Sequence, residues 1–175
     1  SLVRSRIEPE QRRRVEGVEG VSEVGELGSV QLGSRIEGKG PRDLVPVVLF
    51  GYQDASSGLP MPPEQPGRAW ADDTLKAEGV EPGDTIRIGP ARSPVEVIGF
   101  VDDTRYAGQS TLWASLETWR AVQNENRPDA RVLPGVSQAL VVQAADPSDP
   151  SGLARRIDEA TGGLTSSLTE DEAIN

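Results

Sequence analysis

The sequence predicts an α+β fold, and three observations carry that prediction. Helix-boundary signals stand at three places: Pro9 with Gly17, Ser115 before an apolar-periodic run, and Asp149 followed by Pro150. Between them, short apolar stretches alternate at period two and end in Gly/Pro turns, as half-buried strands do. Two connectors of turn-forming composition then divide the chain. Residues 54–67 hold four prolines and two glycines, and residues 126–135 form a second linker with two prolines, a glycine and four polar residues.

The elements follow in order. Glu10–Glu16 reads as a short helix, with Pro9 before it and Gly17 past its end. Val21–Glu37 reads as extended, with Val30, Leu32 and Ile36 on one face and Ser34 between them. Gly38 to Pro41 is a turn, and Leu44–Tyr52 a second, more buried strand. Pro46 donates no backbone hydrogen bond, so this strand is expected to lie at an edge or to start late. After the 54–67 connector, where a lobe boundary is placed, Trp70–Glu78 reads as a short helix. Gly79 is its left-handed cap and Val80 the apolar contact behind it. Pro82-Gly83-Asp84 is a tight turn. Thr85–Ile88 and Val95–Val101 are strands joined by a turn over Gly89–Pro94. Asp102–Ser110 is a polar loop carrying Tyr106, and Thr111–Ala114 a short strand. Ser115 caps a helix to about Glu125 whose buried face is Leu116, Trp119 and Val122. Gln138–Gln143 is a strand. Asp149 caps a last helix with Leu153, Ile157 and Ala160 on its inner face, ended by Gly162. Leu164–Leu168 is a final short strand. Thr169-Glu170-Asp171-Glu172 then matches a capping box. With only Asn175 beyond, it reads either as the start of a longer helix or as a short frayed turn.

Composition narrows the function classes. Apolar residues are 35% and aromatics 4%, so the core must be aliphatic. The 18 basic against 28 acidic residues leave a net charge of −10, which disfavours nucleic acid and a basic, lipid-gripping surface. The chain has no cysteine and no histidine, which removes disulfides, thiolate chemistry, the usual zinc sites and histidine acid–base catalysis. Its longest apolar run, 44–50, contains Pro46 and falls far short of the roughly 20 residues of a spanning helix. An opening Ser1 and the absence of a leader pattern suggest a fragment with its ends removed.

No constellation points to catalysis. Asp72 and Asp73 are adjacent and Asp84 caps a turn, so charge at a helix start and turn capping explain them better than a metal. Asp102 and Asp103 are neighbours at a strand end and would face opposite ways, unlike paired acid–base carboxylates. The chain is therefore expected to be a non-enzyme with no cofactor. Among the tryptophans, Trp119 has the spacing of a core residue. Trp70, beside the proline-rich connector, and Trp113, at a strand end, are the candidates for partner contact.

The order of these elements resembles the large extracytoplasmic domain of FtsX-like and MacB-like ABC transporter permeases, the MacB-like periplasmic core. The match runs through Val15-Glu16-Gly17-Val18-Glu19-Gly20-Val21-Ser22-Glu23-Val24, then Val47-Val48-Leu49-Phe50-Gly51-Tyr52. It continues through Gly79-Val80-Glu81-Pro82-Gly83-Asp84-Thr85, then Val95-Glu96-Val97-Ile98-Gly99-Phe100-Val101 and Thr111–Trp119. The Gly83-Asp84-Thr85 turn alone is common; the ordered set is what is specific. Trp70-Ala71 departs from the family pattern, which places a β-branched strand there. The resemblance implies a two-lobed domain. A membrane-proximal βαβ-type lobe comes from both chain ends (1–55 and 136–175), and a mostly β lobe (66–125) is inserted across linkers 56–65 and 126–135. It implies a place on the extracytoplasmic side of a bacterial membrane; the Arg, Gly, Pro, Val and Glu content fits a high-GC bacterium such as an actinobacterium. It also implies a cytoplasmic ATPase partner reached through membrane helices, an extracytoplasmic substrate or protein partner, and a dimer in the membrane. Because the family sets the chain ends near the bilayer, Arg12, Arg13 and Arg14 become candidates for membrane-surface contact. The alternative is a free-standing secreted binding module.

Overall fold

A computed structural model describes residues 6–40, 43–53 and 59–162. The segment read as a last strand and the capping box at Thr169 lie outside them. Seven strands form one sheet: β1 (Val21–Ile36), β2 (Val45–Tyr52), β3 (Arg68–Asp72), β4 (Thr85–Ile88), β5 (Ser93–Val101), β6 (Ser110–Ser115) and β7 (Ala139–Ala144). Three helices accompany it: α1 (Pro9–Glu16), α2 (Leu116–Asn126) and α3 (Pro150–Ala160).

The strand order is β2-β6-β3-β5-β4-β1-β7, and β1 also pairs with β2. The first six of these strands therefore close into a ring, and β7 hangs outside it. Length makes this possible. The 16 residues of β1 pair with β7 over 21–27, with β2 over 27–34 and with β4 over 34–36, all antiparallel. β2–β6 and β3–β5 are the parallel pairs. Closure leaves the ring no free edge, and β7 takes up the β1 backbone that extends beyond it.

Period-two patterning fills the ring. Val30, Leu32, Val47, Leu49, Ile86 and Ile88 point inward with Val95, Val97 and Leu112, in one core. Val30, Leu32, Val47 and Leu49 precede the 54–67 connector, so this core runs across it. α2 closes the barrel with Trp119, which is fully buried. A Cβ on Gly28 would lie 2.4 Å from the Trp119 indole and one on Gly51 2.5 Å from the Trp119 Cβ, so both strands need glycine where this side chain crosses them. Ser115 caps α2 by accepting from Thr118 N–H. A second core forms outside the ring, where α1 and α3 cover the first half of β1 and β7: Val15, Val24, Leu153 and Ile157.

Two expectations are corrected, and a third, left with two alternatives, is decided. Trp70–Glu78 is not a helix. Arg68–Asp72 is a strand, and only Asp73–Glu78 coils, as a 3-10 turn. Ala69 and Ala71 face the packed interior while Trp70 faces out, a strand alternation that Ala-Trp-Ala disguises because alanine favours helix. The cap was read correctly: Gly79 has φ +92°, and Val80 N–H donates to the Leu75 carbonyl. Ala160 is exposed, because α3 buries its side on Leu153 and Ile157 and ends there. Of the two positions expected from Pro46, β2 takes the late start and not the edge. It lies between β1 and β6, and the parallel ladder to β6 begins at Val47, one residue after the proline.

Candidate functional site

The outward side chains of β2, β6 and β3 build an aromatic surface, because residues of one parity share a face. Phe50 stacks on Trp113, with centroids 4.4 Å apart and planes within 9°. Tyr52 meets Trp113 edge-on at 5.8 Å, and Tyr106, from the loop after β5, meets Phe50 edge-on at 5.4 Å. Trp70 lies opposite Trp113 across the β3–β6 ladder. The structure thus brings together the two tryptophans singled out from the sequence.

Residues 60–67 strap this surface. Tyr52 Oη donates to the Pro60 carbonyl (2.6 Å) and Trp70 Nε1 to that of Met61 (3.2 Å), while Gly67 N–H donates to Thr118 Oγ1 (3.1 Å). Phe50 and Tyr52 are buried and Trp70 and Trp113 half-buried, whereas Met61 and Tyr106 are 66% and 46% exposed. Sequence reading missed Phe50 and Tyr52 as part of this surface. Their signal was present, as a strand apolar on both faces, which requires a second layer outside the barrel.

Burial pushes the Tyr52 phenol up to about 12. A raised folded value means that this group's contribution to stability is whole below the ordinary pKa near 10. It is lost as pH rises from there through about 12. In a spectrophotometric titration of the native chain at 295 nm, Tyr52 should form phenolate only near pH 12. Ionisation of Tyr52 in the folded chain near pH 10, identified by its loss in Tyr52→Phe, would show that the strap does not shield it.

The arginine run divides into three fates. Arg12 lies against β1, where its guanidinium meets Glu16 (2.7 Å) and the buried Glu26 (3.0 Å) and donates to Gln53 Oε1 (3.0 Å). Arg120 of α2 approaches the same Glu26 at 3.7 Å, so this carboxylate ties α1 to the barrel's closing helix. Arg14 pairs with Glu10 across one helical turn (2.9 Å). Arg13 is exposed and has no ion pair among the described residues.

The acidic residues separate as well. Asp72 is fully buried at the end of β3 and accepts from the backbone and hydroxyl groups of both Thr74 and Thr104. Burial alone raises its carboxyl, but those hydrogen bonds outweigh it and hold the group below its ordinary value. Asp73 is raised, by desolvation first and then by its contact with Asp102. Asp102 and Asp103 are exposed in a bend after β5. Asp84 accepts from Glu81 N–H and so closes the turn. Among the described residues no group of three metal-ligating side chains converges. No helix among them is long and apolar enough to cross a membrane.

This fold is similar to those of solved extracellular and periplasmic domains of transporter proteins. One such structure is the extracellular domain of the noncanonic ABC-type transporter YknZ from Gram-positive bacteria. It shares 15% identity with this chain, has a TM-score of 0.58, and aligns over 90% of this chain and 85% of its own. The periplasmic region of MacB from Actinobacillus actinomycetemcomitans aligns at 15% identity and TM-score 0.59, over 89% and 75%. A domain of a putative permease protein from Porphyromonas gingivalis aligns at 10% and 0.53, over 88% and 69%. At these identities the likeness is one of fold. No family model and no curated protein matches the sequence.

Proposed function

We propose that this chain is the extracytoplasmic domain of an FtsX-like ABC transporter permease, and that it binds a substrate or protein partner and moves with its membrane helices without making or breaking bonds. The observation that carries this reading is the alignment of nearly the whole chain with extracellular and periplasmic transporter domains. The chain's first and last described helices support it, because α1 and α3 pack in one small core and bring both ends of the described chain to one side of the barrel. In this reading the small core faces the membrane and the barrel stands away from it. Arg13, exposed and without an ion pair among the described residues, is the arginine of the three available to anionic head groups. A cytoplasmic ATPase drives the movement, and the strapped surface around Trp70 and Trp113 meets the partner. The permease works as a dimer.

The test is the parent reading frame. Apolar runs of about 20 residues on each side of 1–175, with further spans downstream, are the expected result. A leader peptide before Ser1 and a stop codon after Asn175 would withdraw the transporter role in favour of a secreted binding module.

A further inference from the structure

A cavity of about 530 Å³ lies between the segment that follows α2 and the middle of β1, next to the Ile7–Ser137 bridge. Its charge opposes that of the molecule. Arg6, Arg127 and Arg131 line it against one carboxylate, Asp129, so three positive charges less one leave +2 on a chain of net −10.

These guanidinium groups are weakly engaged. Arg131 has no hydrogen bond or ion pair among the described residues. Arg127 reaches only the Gln31 carbonyl, at 3.4 Å, and the carboxylate nearest Arg6 is Glu8, at 3.9 Å. Two lining residues add polar groups. Ser137 is 1% exposed, and its Oγ has no hydrogen-bond partner among the described residues. Gln138 is also buried, and its Oε1 accepts from Ser29 N–H and Oγ at 2.8 and 3.2 Å. That orientation leaves the two hydrogens of Nε2 as donors. One feature opposes an anion: α2 ends at this wall, and a helix C-terminus carries about half a negative charge. The surplus of two full charges exceeds it.

We propose that this cavity is an oxyanion site that takes the phosphate head of a small organic ligand. Arginine forks match phosphate oxygens in pairs, and a phosphate monoester carries close to the two negative charges that the lining lacks. The space far exceeds a phosphate alone, since a water occupies about 30 Å³. Ala130, Val132 and Val136 provide apolar wall for an organic body, in a volume typical of small-molecule sites. The inference does not depend on the transporter reading.

The test is calorimetric titration of the purified chain with phenyl phosphate in 0.15 M sodium chloride. Saturable one-site binding is expected. It should weaken at least tenfold in Arg127→Gln/Arg131→Gln, whose two side chains are exposed and whose removal leaves the cores intact. It should change less than twofold in Arg92→Gln/Arg155→Gln, two exposed arginines away from the cavity, which removes the same charge elsewhere. Inorganic phosphate should compete, at least threefold more weakly. Dihexanoyl phosphatidic acid below its micelle concentration separates the two sources of such a head. Tenfold tighter binding than phenyl phosphate assigns a lipid, and equal or weaker binding a soluble ester. Absence of saturation, or equal loss in both double variants, overturns the site. Inorganic phosphate binding as tightly as phenyl phosphate overturns the organic body.

Discussion

Trp119→Ala is expected to lower the unfolding free energy by about 3–5 kcal/mol, the cost of removing a large aromatic from a packed core. Trp119 is fully buried; its indole crosses β1 at Gly28, and its Cβ sits over Gly51 of β2. Those glycines cannot fill the space it leaves, because neither has a side chain, and the closed ladder holds the strands apart. No hydrogen bond is lost, because Nε1 is buried with no hydrogen-bond partner among the described residues. Trp119→Phe should therefore cost clearly less than the alanine variant, since it keeps a ring and forfeits no bond. Urea unfolding of the three proteins checks this. A loss below about 1 kcal/mol for Trp119→Ala would mean that α2 does not close the barrel.

Asp72→Ala should cost about 3 kcal/mol, from stranding buried donors and losing hydrogen bonds to a charged acceptor. One carboxylate joins the 3-10 turn after β3, through Thr74, to the loop after β5, through Thr104. Thr111 Oγ1 donates to the Thr104 carbonyl at 2.8 Å, which extends the network to β6. The effect depends on pH in a definite direction. The folded carboxyl lies below the ordinary value of 3.8, so its contribution is present above 3.8 and is lost as pH falls through the folded value. The wild-type chain should lose stability more steeply than Asp72→Ala below pH 4. Asp72→Asn, which keeps one acceptor oxygen, should fall between them near neutral pH. Parallel acid profiles for wild type and Asp72→Ala would remove Asp72 from the network.

Much of the local structure was legible because its causes are local. Ser115 and Asp149 cap their helices through an N–H three residues on, Pro9 opens α1, and Gly79 turns the chain at positive φ; each signal acts within about one helical turn. The strands β4, β5 and β6 followed from alternation within four to nine residues. The failure at Trp70 has the same root. Two alanines beside a tryptophan carry helix propensity, and only the partners β5 and β6 on either side make them a strand. Arg12 is similar. In the sequence it belongs to a run of like charges, and the fold alone brings it to Glu26, a carboxylate also approached from α2.

The sequence by itself determined an acidic, aliphatic-cored α+β chain without cysteine or histidine, its caps and turns, and the order of elements that resembles transporter extracytoplasmic domains. Tertiary structure alone decided that β1 joins three partners and closes a ring, that Phe50, Tyr52, Trp70 and Trp113 share one strapped face, and that Arg6, Arg127 and Arg131 surround one cavity. The physical reason is range. Caps, turns and periodicity are contacts between near neighbours, whereas pairing, stacking and charge convergence join residues tens of positions apart, whose meeting depends on the whole chain's packing.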